Sequence, residues 1–234
     1  MTAIYKREMA SYLTSPVGYV FLAGFFAISG YYFFATSLVS NTTDMSYVFS
    51  NLFSIAIFLV PILTMRLFSE ERKQKTEQLL FTAPVRFTGV VMGKFLASLT
   101  MYLLGMSVTL LYLIVVCFFR VPDLAVFFGN FFGLFLLGAA LCAIGIFISS
   151  LTESQVIAAI GSLAVGMFLL FVNSFTPVIS SEWVKKLMDS ISFYGHYLDF
   201  TRGLLNLSDI IFFLSVTALF LFLTVRHMER RRVS

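Results

Sequence analysis

Six long runs of apolar residues, separated by short polar segments, dominate this chain of 234 residues. A helix that crosses a bilayer needs about 20 mostly apolar residues, with a range of about 17–25, and every run reaches that range. The pattern therefore predicts an all-α membrane protein with six transmembrane helices, at about residues 17–39, 47–67, 90–119, 124–149, 156–173 and 209–225.

The segment before the first run, residues 2–15, has a different pattern. Its apolar residues share one half of a helical wheel, whereas Lys6 and Arg7 fall outside it and Glu8 intrudes on the apolar side. Such a segment is typical of an interfacial helix that lies on the cytoplasmic leaflet. Pro16 disfavours a helical conformation at the residue before it, so we expect the interfacial helix to span residues 1–16 and break there.

The placement of basic residues predicts the orientation of the spans. With six spans, one side holds both termini and the connections 2–3 and 4–5, and this side carries twelve of the sixteen Lys and Arg residues. The other side carries four: Arg120, Lys185, Lys186 and Arg202. Because basic residues are retained on the cytoplasmic side, both termini are predicted to be cytoplasmic.

The composition limits what else the chain can hold. Apolar residues make up 59% and charged residues 12%, against about 25% charged residues in a soluble domain. We therefore expect residues 1–234 to form a single membrane domain in contact with the lipid bilayer, without a separate catalytic domain and without a nucleic-acid partner. Cys117 and Cys142 both lie in apolar runs, where they could be packing residues or form a disulfide.

The sequence lacks the motifs of several chemistries. There is no H-E-x-x-H metalloprotease motif, and the nearest approach to a phosphate-binding loop, Gly89 to Lys94, has the wrong glycine spacing and no following Ser or Thr. The spans hold almost no ionisable residues for ion-coupled transport, and Lys94 is close enough to a span end to snorkel. The chain is therefore predicted not to be an enzyme, and to draw its energy from elsewhere.

The connection between spans two and three, residues 69–84, is charged and has the pattern of a short helix. Ser69 is a plausible N-cap, followed by Glu70 and Glu71 in the first turn, and Pro84 would stop the helix. Pairs four residues apart, Glu71 with Lys75 and Lys73 with Glu77, would support it. A solvated loop with helix-favouring charges explains the same pattern.

The same segment resembles the coupling loop of the type-2 ABC exporter permease family. The matching residues are Glu71-Arg72, Thr76-Glu77, Leu79-Leu80, Pro84-Val85 and Gly93-Lys94, together with Lys6-Arg7-Glu8 and Ser15-Pro16 near the N-terminus. Lys75 departs from the pattern, because the family usually has glycine there. The gliding-motility-associated permeases are the most similar subgroup, through residues 15–19, 200–205, Asp209 and Arg230-Arg231.

The resemblance implies a permease of the bacterial cytoplasmic (inner) membrane that pairs with a second permease chain and with two ABC ATPase subunits. ATP and magnesium would be bound in the ATPases, and no cofactor in this chain. The residues expected to couple to the ATPase are Glu70, Glu71, Arg72, Thr76, Glu77, Leu79, Leu80 and Pro84. The alternative is a non-transporting anchor that passes ATPase motion to an extracytoplasmic accessory subunit.

The segment before the last span, residues 174–208, is expected to be extracytoplasmic. Residues 181–191 have the pattern of an amphipathic helix, and aromatic residues follow it. The resemblance implies short helices here that close the outer side of the pathway, with Trp183, Tyr194, His196 and Gly203 as candidate gate residues. A surface helix that merely caps the bundle is the alternative.

Overall fold

A computed structural model describes residues 1–40, 42–76, 87–119, 121–175 and 190–233, together with residues 183 and 188. Within these residues the chain is helical, without β-strands. Six helical segments among them are long and apolar enough to cross a membrane, which confirms the predicted number. The protein is thus a multi-pass membrane protein.

The helices follow one another with few irregular connections. In chain order they are α1 (Thr2–Thr14), α2 (Pro16–Tyr32) continued by a π-helix (Phe33–Leu38), α3 (Ser46–Thr64), α4 (Arg66–Lys73), α5 (Phe87–Met106), α6 (Val108–Phe119), α7 (Leu124–Leu151), α8 (Gln155–Phe175), α9 (Phe193–Thr201) and α10 (Leu207–Val233). The second span combines α3 and α4, and the third combines α5 and α6. Ser15 is extended and Pro16 is the first residue of α2, as the sequence predicts.

The fourth span, α7, lies at the centre of the bundle and packs against α3, α8, α9 and α10. Its sequence is apolar on every side, which is the pattern of a helix surrounded by protein or lipid. The other spans leave large apolar side chains exposed, with Phe118 of α6 at 84%. In a bilayer these side chains face lipid at no cost, because lipid tails are as apolar as they are.

Glycines of α7 let neighbouring side chains approach its backbone. A Cβ at Gly138 would lie 2.0 Å from the ring of Tyr102, and a Cβ at Gly145 would lie 2.1 Å from the hydroxyl of Thr64. Tyr102 of α5 is fully buried and donates a hydrogen bond to the carbonyl of Leu134 in α7. The glycines therefore fix how closely α3 and α5 pack against the central helix.

Two ends of the bundle can be distinguished by their residues. The basic end carries both chain termini, α4 and residues 151–155. The distal end carries residues 42–46, 121–124 and 190–206. The two cysteines do not form a disulfide. Cys117 is exposed, Cys142 is buried, and both are free thiols.

Candidate functional site

The segment predicted to couple to an ATPase begins as an extension of the second span. Helix α4 starts at Arg66, three residues before the predicted N-cap. Ser69 is therefore inside the helix, buried, and donates its hydroxyl to the carbonyl of Met65. The N-cap prediction is wrong because the apolar span does not end at Leu67 but continues, after one irregular residue at Met65, into the charged segment.

A buried lysine joins this segment to the third span. Lys94 of α5 is only 1% exposed, and its ammonium lies 3.0 Å from the carboxylate of Glu8, 3.0 Å from that of Glu71 and 2.5 Å from the carbonyl of Leu67. The ammonium also lies 5.0 Å from the centre of the Phe68 ring. The expectation that Lys94 snorkels to water is wrong, since its partners are provided inside the protein.

Arg7 completes an ion cluster that consists of Arg7, Glu8, Glu71 and Lys94. The guanidinium of Arg7 donates to Glu8 at 2.6 Å and also to Glu71. Two cations therefore face two carboxylates, and the cluster is formally neutral. It links three elements, because Arg7 and Glu8 belong to α1, Glu71 to α4 and Lys94 to α5.

The cluster favours the ionised form of Glu8. Burial by itself raises the pKa of the Glu8 carboxyl, but the charge of Lys94 and the hydrogen bonds from Arg7 and Lys94 outweigh burial and hold this pKa below its ordinary value. A buried ammonium without a partner would cost several kcal/mol. The predicted pair of Glu71 with Lys75 is absent, because Glu71 instead contacts Arg7 and Lys94 and Lys75 is exposed.

The start of α4 is capped by a residue from the fourth span. The hydroxyl of Ser149 accepts hydrogen bonds from the N–H groups of Phe68, at 3.1 Å, and Ser69, at 3.2 Å, and donates to the carbonyl of Met65 at 2.9 Å. The first N–H groups of a helix have no partner within it, so an oxygen at this position takes the part of an N-cap. Ser149 thus adds hydrogen-bond partners where the regular helix is interrupted at Met65.

Two arginines tie the segment to further elements. Arg66 donates to Ser15 at 2.7 Å and to Ser11, and its guanidinium lies 5.1 Å from the ring centre of Tyr12. Arg72 donates to the carbonyl of Leu151 at 2.8 Å and pairs with Glu153 at 3.1 Å. The elements that anchor α4 are therefore α1, α5, α7 and the connection between α7 and α8.

Helix α4 ends in an unusual backbone conformation. The N–H of Gln74 donates to Glu70 and that of Lys75 to Arg72, and Lys75 has a φ of 58°. This left-handed conformation is favourable for glycine and costly for a residue with a Cβ. A glycine at this position would adopt the same conformation without that cost. Glu77, Leu79, Leu80 and Pro84, also predicted to couple to an ATPase, lie outside the described residues.

The predicted gate residues at the distal end do not converge on one site. Tyr194 packs against Phe53, Gly203 has a φ of +73° and lies against Val126, and Trp183 is 81% exposed. The backbone carbonyl of Phe200 and Gly203 also contact Gly129 of α7. Gly129 of α7 therefore packs against the distal residues 200–203.

His196 lies within the protein as a hydrogen-bonded residue. Its Nδ1 lies 2.6 Å from Asp209 Oδ1, and its ring stacks on Phe212 at 4.1 Å. Most of the predicted amphipathic helix at 181–191 lies outside the described residues.

Sequence reasoning missed the ion cluster, although two signals pointed to it. Glu8 interrupts the apolar face of α1, and Lys94 is a charge inside an apolar run. Opposite charges that each violate their local pattern are candidates for a buried pair. No local pattern identifies Ser149, because hydroxyls are common in membrane helices and its role depends on the break at Met65.

The chain was compared with known proteins. The sequence pattern of a family described as "ABC-2 family transporter protein" matches residues 2–229, which is nearly the whole chain. No curated protein matches the chain.

Proposed function

The chain belongs to the ABC-2 family of transporter proteins, and is thus a membrane permease component of an ABC transporter; we propose that a separate ABC ATPase drives it through α4 and the connection that follows. One observation carries this proposal. The ion cluster fastens α4 to α1 and α5, so a force on α4 acts on three elements at once.

The length of the second span supports the same conclusion. It is helical from Ser46 to Lys73, a stretch of 28 residues, with one irregular residue at Met65. At about 1.5 Å per residue this is about 42 Å, more than the hydrocarbon core of about 30 Å. A surplus of this length supports a position of α4 outside the core, where a soluble subunit could reach it.

The surface offered to the ATPase consists of the last described residues of the segment. Lys73, Gln74, Lys75 and Thr76 are exposed, and Glu70 is half-exposed. Glu71 and Arg72 are instead committed to contacts within the protein, so we assign them to transmission rather than to docking. Glu77, Leu79, Leu80 and Pro84 complete the proposed docking segment.

The wider arrangement follows from the same proposal. The ATPase binds ATP and magnesium in the cytoplasm, both termini of this chain are cytoplasmic, and the membrane is the bacterial inner membrane. A second permease chain completes the translocation unit. The proposal also includes a relationship to the gliding-motility-associated permeases and an extracytoplasmic accessory subunit. It includes the predicted gate residues as well: Trp183, Tyr194, His196 and Gly203.

Docking can be tested without disturbing the fold. We expect the exposed double variant Lys73→Glu/Lys75→Glu to lose at least about 90% of the ATPase that copurifies with a tagged chain, because charge reversal opposes the complementary surface. The readout is magnesium-dependent ATP hydrolysis in the eluate, normalised to chain that elutes as a single folded species.

The matched control is Arg226→Glu/Arg230→Glu, which reverses two charges at the same end of the bundle but outside α4. It should retain the ATPase. Equal retention by both double variants would contradict docking at α4. Movement of a substrate into vesicles that depends on ATP would exclude the alternative of a non-transporting anchor.

A further inference from the structure

A groove of about 970 Å³ lies at the basic end, between α7 and the last part of α10. Its apolar part is formed by Phe147 of α7 with Phe222 and Leu223 of α10, and its charged part by Arg226, His227, Glu229 and Arg230 of α10. Phe222 and Arg226 are more than half exposed, so the groove opens to the outside of the bundle. It is thus apolar at one end and charged at the other, as the site of an amphipathic ligand would be.

The position of this change along α10 matches the edge of a bilayer. The residues between Asp209 and Arg226 carry no charge, and 17 helical steps separate these two residues. At about 1.5 Å per residue this is about 26 Å, close to the hydrocarbon core of about 30 Å. Arg226 therefore begins the part of α10 that lies level with the lipid headgroups, whereas Phe222 and Leu223 lie about one turn deeper.

Two arginines of the groove are available to a ligand. Arg226 and Arg230 are four residues apart, so they lie on the same face of α10. Arg226 pairs with Glu229 at 3.4 Å, but both side chains are about half exposed, and such a pair is weak. Arg230 is exposed and has no ion pair with another described residue. Glu229 is the only carboxylate among the described lining residues, so the two arginines leave the groove positively charged.

These arginines differ from the other basic residues at the same end. The cations of the ion cluster are paired with carboxylates within the protein. Lys73 and Lys75 are exposed, but they lie at the end of α4, and neither lines the groove. Arg226 is held beside an aromatic ring instead, with its guanidinium 5.2 Å from the centre of the Phe222 ring. Its charge is thus placed directly next to the apolar part of the groove.

We propose that the groove binds an anionic phospholipid of the surrounding bilayer. The phosphate lies at Arg226 and Arg230, and an acyl chain follows the apolar part of the groove. A lipid is the occupant that the position selects, because the groove opens where hydrocarbon meets headgroups. The fork of a guanidinium matches the oxygens of a phosphate, whereas a zwitterionic lipid carries its own cation and gains less from a positive site. Each arginine close to the membrane surface strengthens the binding of anionic lipid about fivefold.

The experiment counts the lipids bound to the full chain in detergent by native mass spectrometry. The purified chain, freed of lipid, is titrated with dioleoylphosphatidylglycerol, which is anionic, or with dioleoylphosphatidylcholine, which is zwitterionic and has the same acyl chains. We expect the first phosphatidylglycerol to bind at least about tenfold more tightly than the first phosphatidylcholine. In Arg226→Gln/Arg230→Gln this preference should fall to about twofold or less, because both partners of the phosphate are lost while the apolar part of the groove remains.

The matched control is Lys73→Gln/Lys75→Gln, which removes two exposed charges from the same end but outside the groove. It should keep the preference for phosphatidylglycerol. All four substituted side chains are exposed, so both double variants should elute as a single folded species. The lipid is bound by the chain alone, so the result does not depend on the docking of an ATPase.

The proposal is overturned if the unmodified chain binds the two lipids equally, or if the preference survives in Arg226→Gln/Arg230→Gln. It is also overturned if both double variants lose the preference to the same extent, because the attraction would then come from the overall charge of this end. Displacement of the phosphatidylglycerol by inorganic phosphate at about 10 mM would overturn it as well, because the ligand would then be a free anion.

Discussion

Replacing Lys94 by methionine tests the ion cluster most directly. Methionine has a similar length and suits an apolar site, so Lys94→Met removes the charge with little loss of volume. The carboxylates of Glu8 and Glu71, each 3.0 Å from the ammonium, would then face each other with only Arg7 to compensate them. Arg7 is more than half exposed, so water screens much of its charge.

The size of the effect follows from burial. Removing one partner of a buried ion pair costs about 3–5 kcal/mol, because the remaining charge stays buried and uncompensated. Lys94 is 1% exposed and its two carboxylate partners are 10% and 16% exposed, so the cluster falls in this class. For a chain of this length the loss corresponds to a fall in melting temperature of about 6–20 °C.

The measurement is the fraction of chain that still elutes as a single folded species after heating in detergent. Helical content is a poor readout here, because membrane helices persist in detergent after tertiary contacts are lost. The sole tryptophan, Trp183, lies in the distal segment and would not report on the basic end. The matched control is Arg202→Met, which removes a 69% exposed partner of Asp199 and should cost no more than about 1 kcal/mol.

A compensated variant separates charge from packing. In Glu8→Gln/Glu71→Gln/Lys94→Met no unpaired buried carboxylate remains, and replacement of a whole buried cluster is often neutral. Most of the lost melting temperature should therefore return. If the triple variant is as unstable as Lys94→Met alone, the loss comes from packing and the electrostatic reasoning is refuted.

Three further predictions concern single positions. Lys75→Gly should raise the free energy of unfolding by about 0.5–1 kcal/mol because the φ of Lys75 is 58°. Lys73→Gly, at the last residue of α4, should instead lower the free energy of unfolding, by up to about 1 kcal/mol. Thermal unfolding of both variants distinguishes them, and equal effects would contradict the assignment. Gly138→Ala should destabilise the fold by about 1–3 kcal/mol because its Cβ would lie 2.0 Å from the Tyr102 ring, whereas Gly24→Ala, with its nearest contact at 3.6 Å, should be tolerated; similar melting temperatures would argue against the close packing of α5 on α7. Because the pKa of Glu8 is lowered in the folded state, its contribution to stability is present above its unfolded pKa of about 4.3 and is lost as the pH falls through the lower folded value; Glu8→Gln should therefore show a weaker loss of stability between about pH 5 and pH 3 than the unmodified chain, and an unchanged pH profile would count against the depressed pKa.

The spans were predictable, and their ends less so. The second span was expected to stop near residue 67, but the helix continues to Lys73. The last was expected to stop near residue 225, but α10 continues through the basic tail to Val233. Hydropathy indicates where the lipid-facing part of a helix ends. The helix itself can continue into water when the next residues, such as Arg and Glu, are good helix formers.

The predicted partner of Glu71 in the charged segment after the second span was wrong. The charge pattern of residues 69–76 predicted a short charged helix in this part of the chain. The proposed partner of Glu71 was its neighbour four residues on, because sequence reasoning considers pairs within one helix first. Its partners are on α1 and α5, since a partly buried carboxylate needs a cation that the fold brings to it.

By itself the sequence determined six membrane-spanning helices and the break at Pro16. These features depend on the length of apolar runs and on local backbone preferences, which are properties of short segments. Only the tertiary structure decided that Glu8 meets Lys94, 86 residues away, and that Ser149 caps α4. Such contacts depend on which helices pack side by side and on how far along each helix the two residues lie. A charge in an apolar run shows that a partner is needed, but not which residue will be next to it.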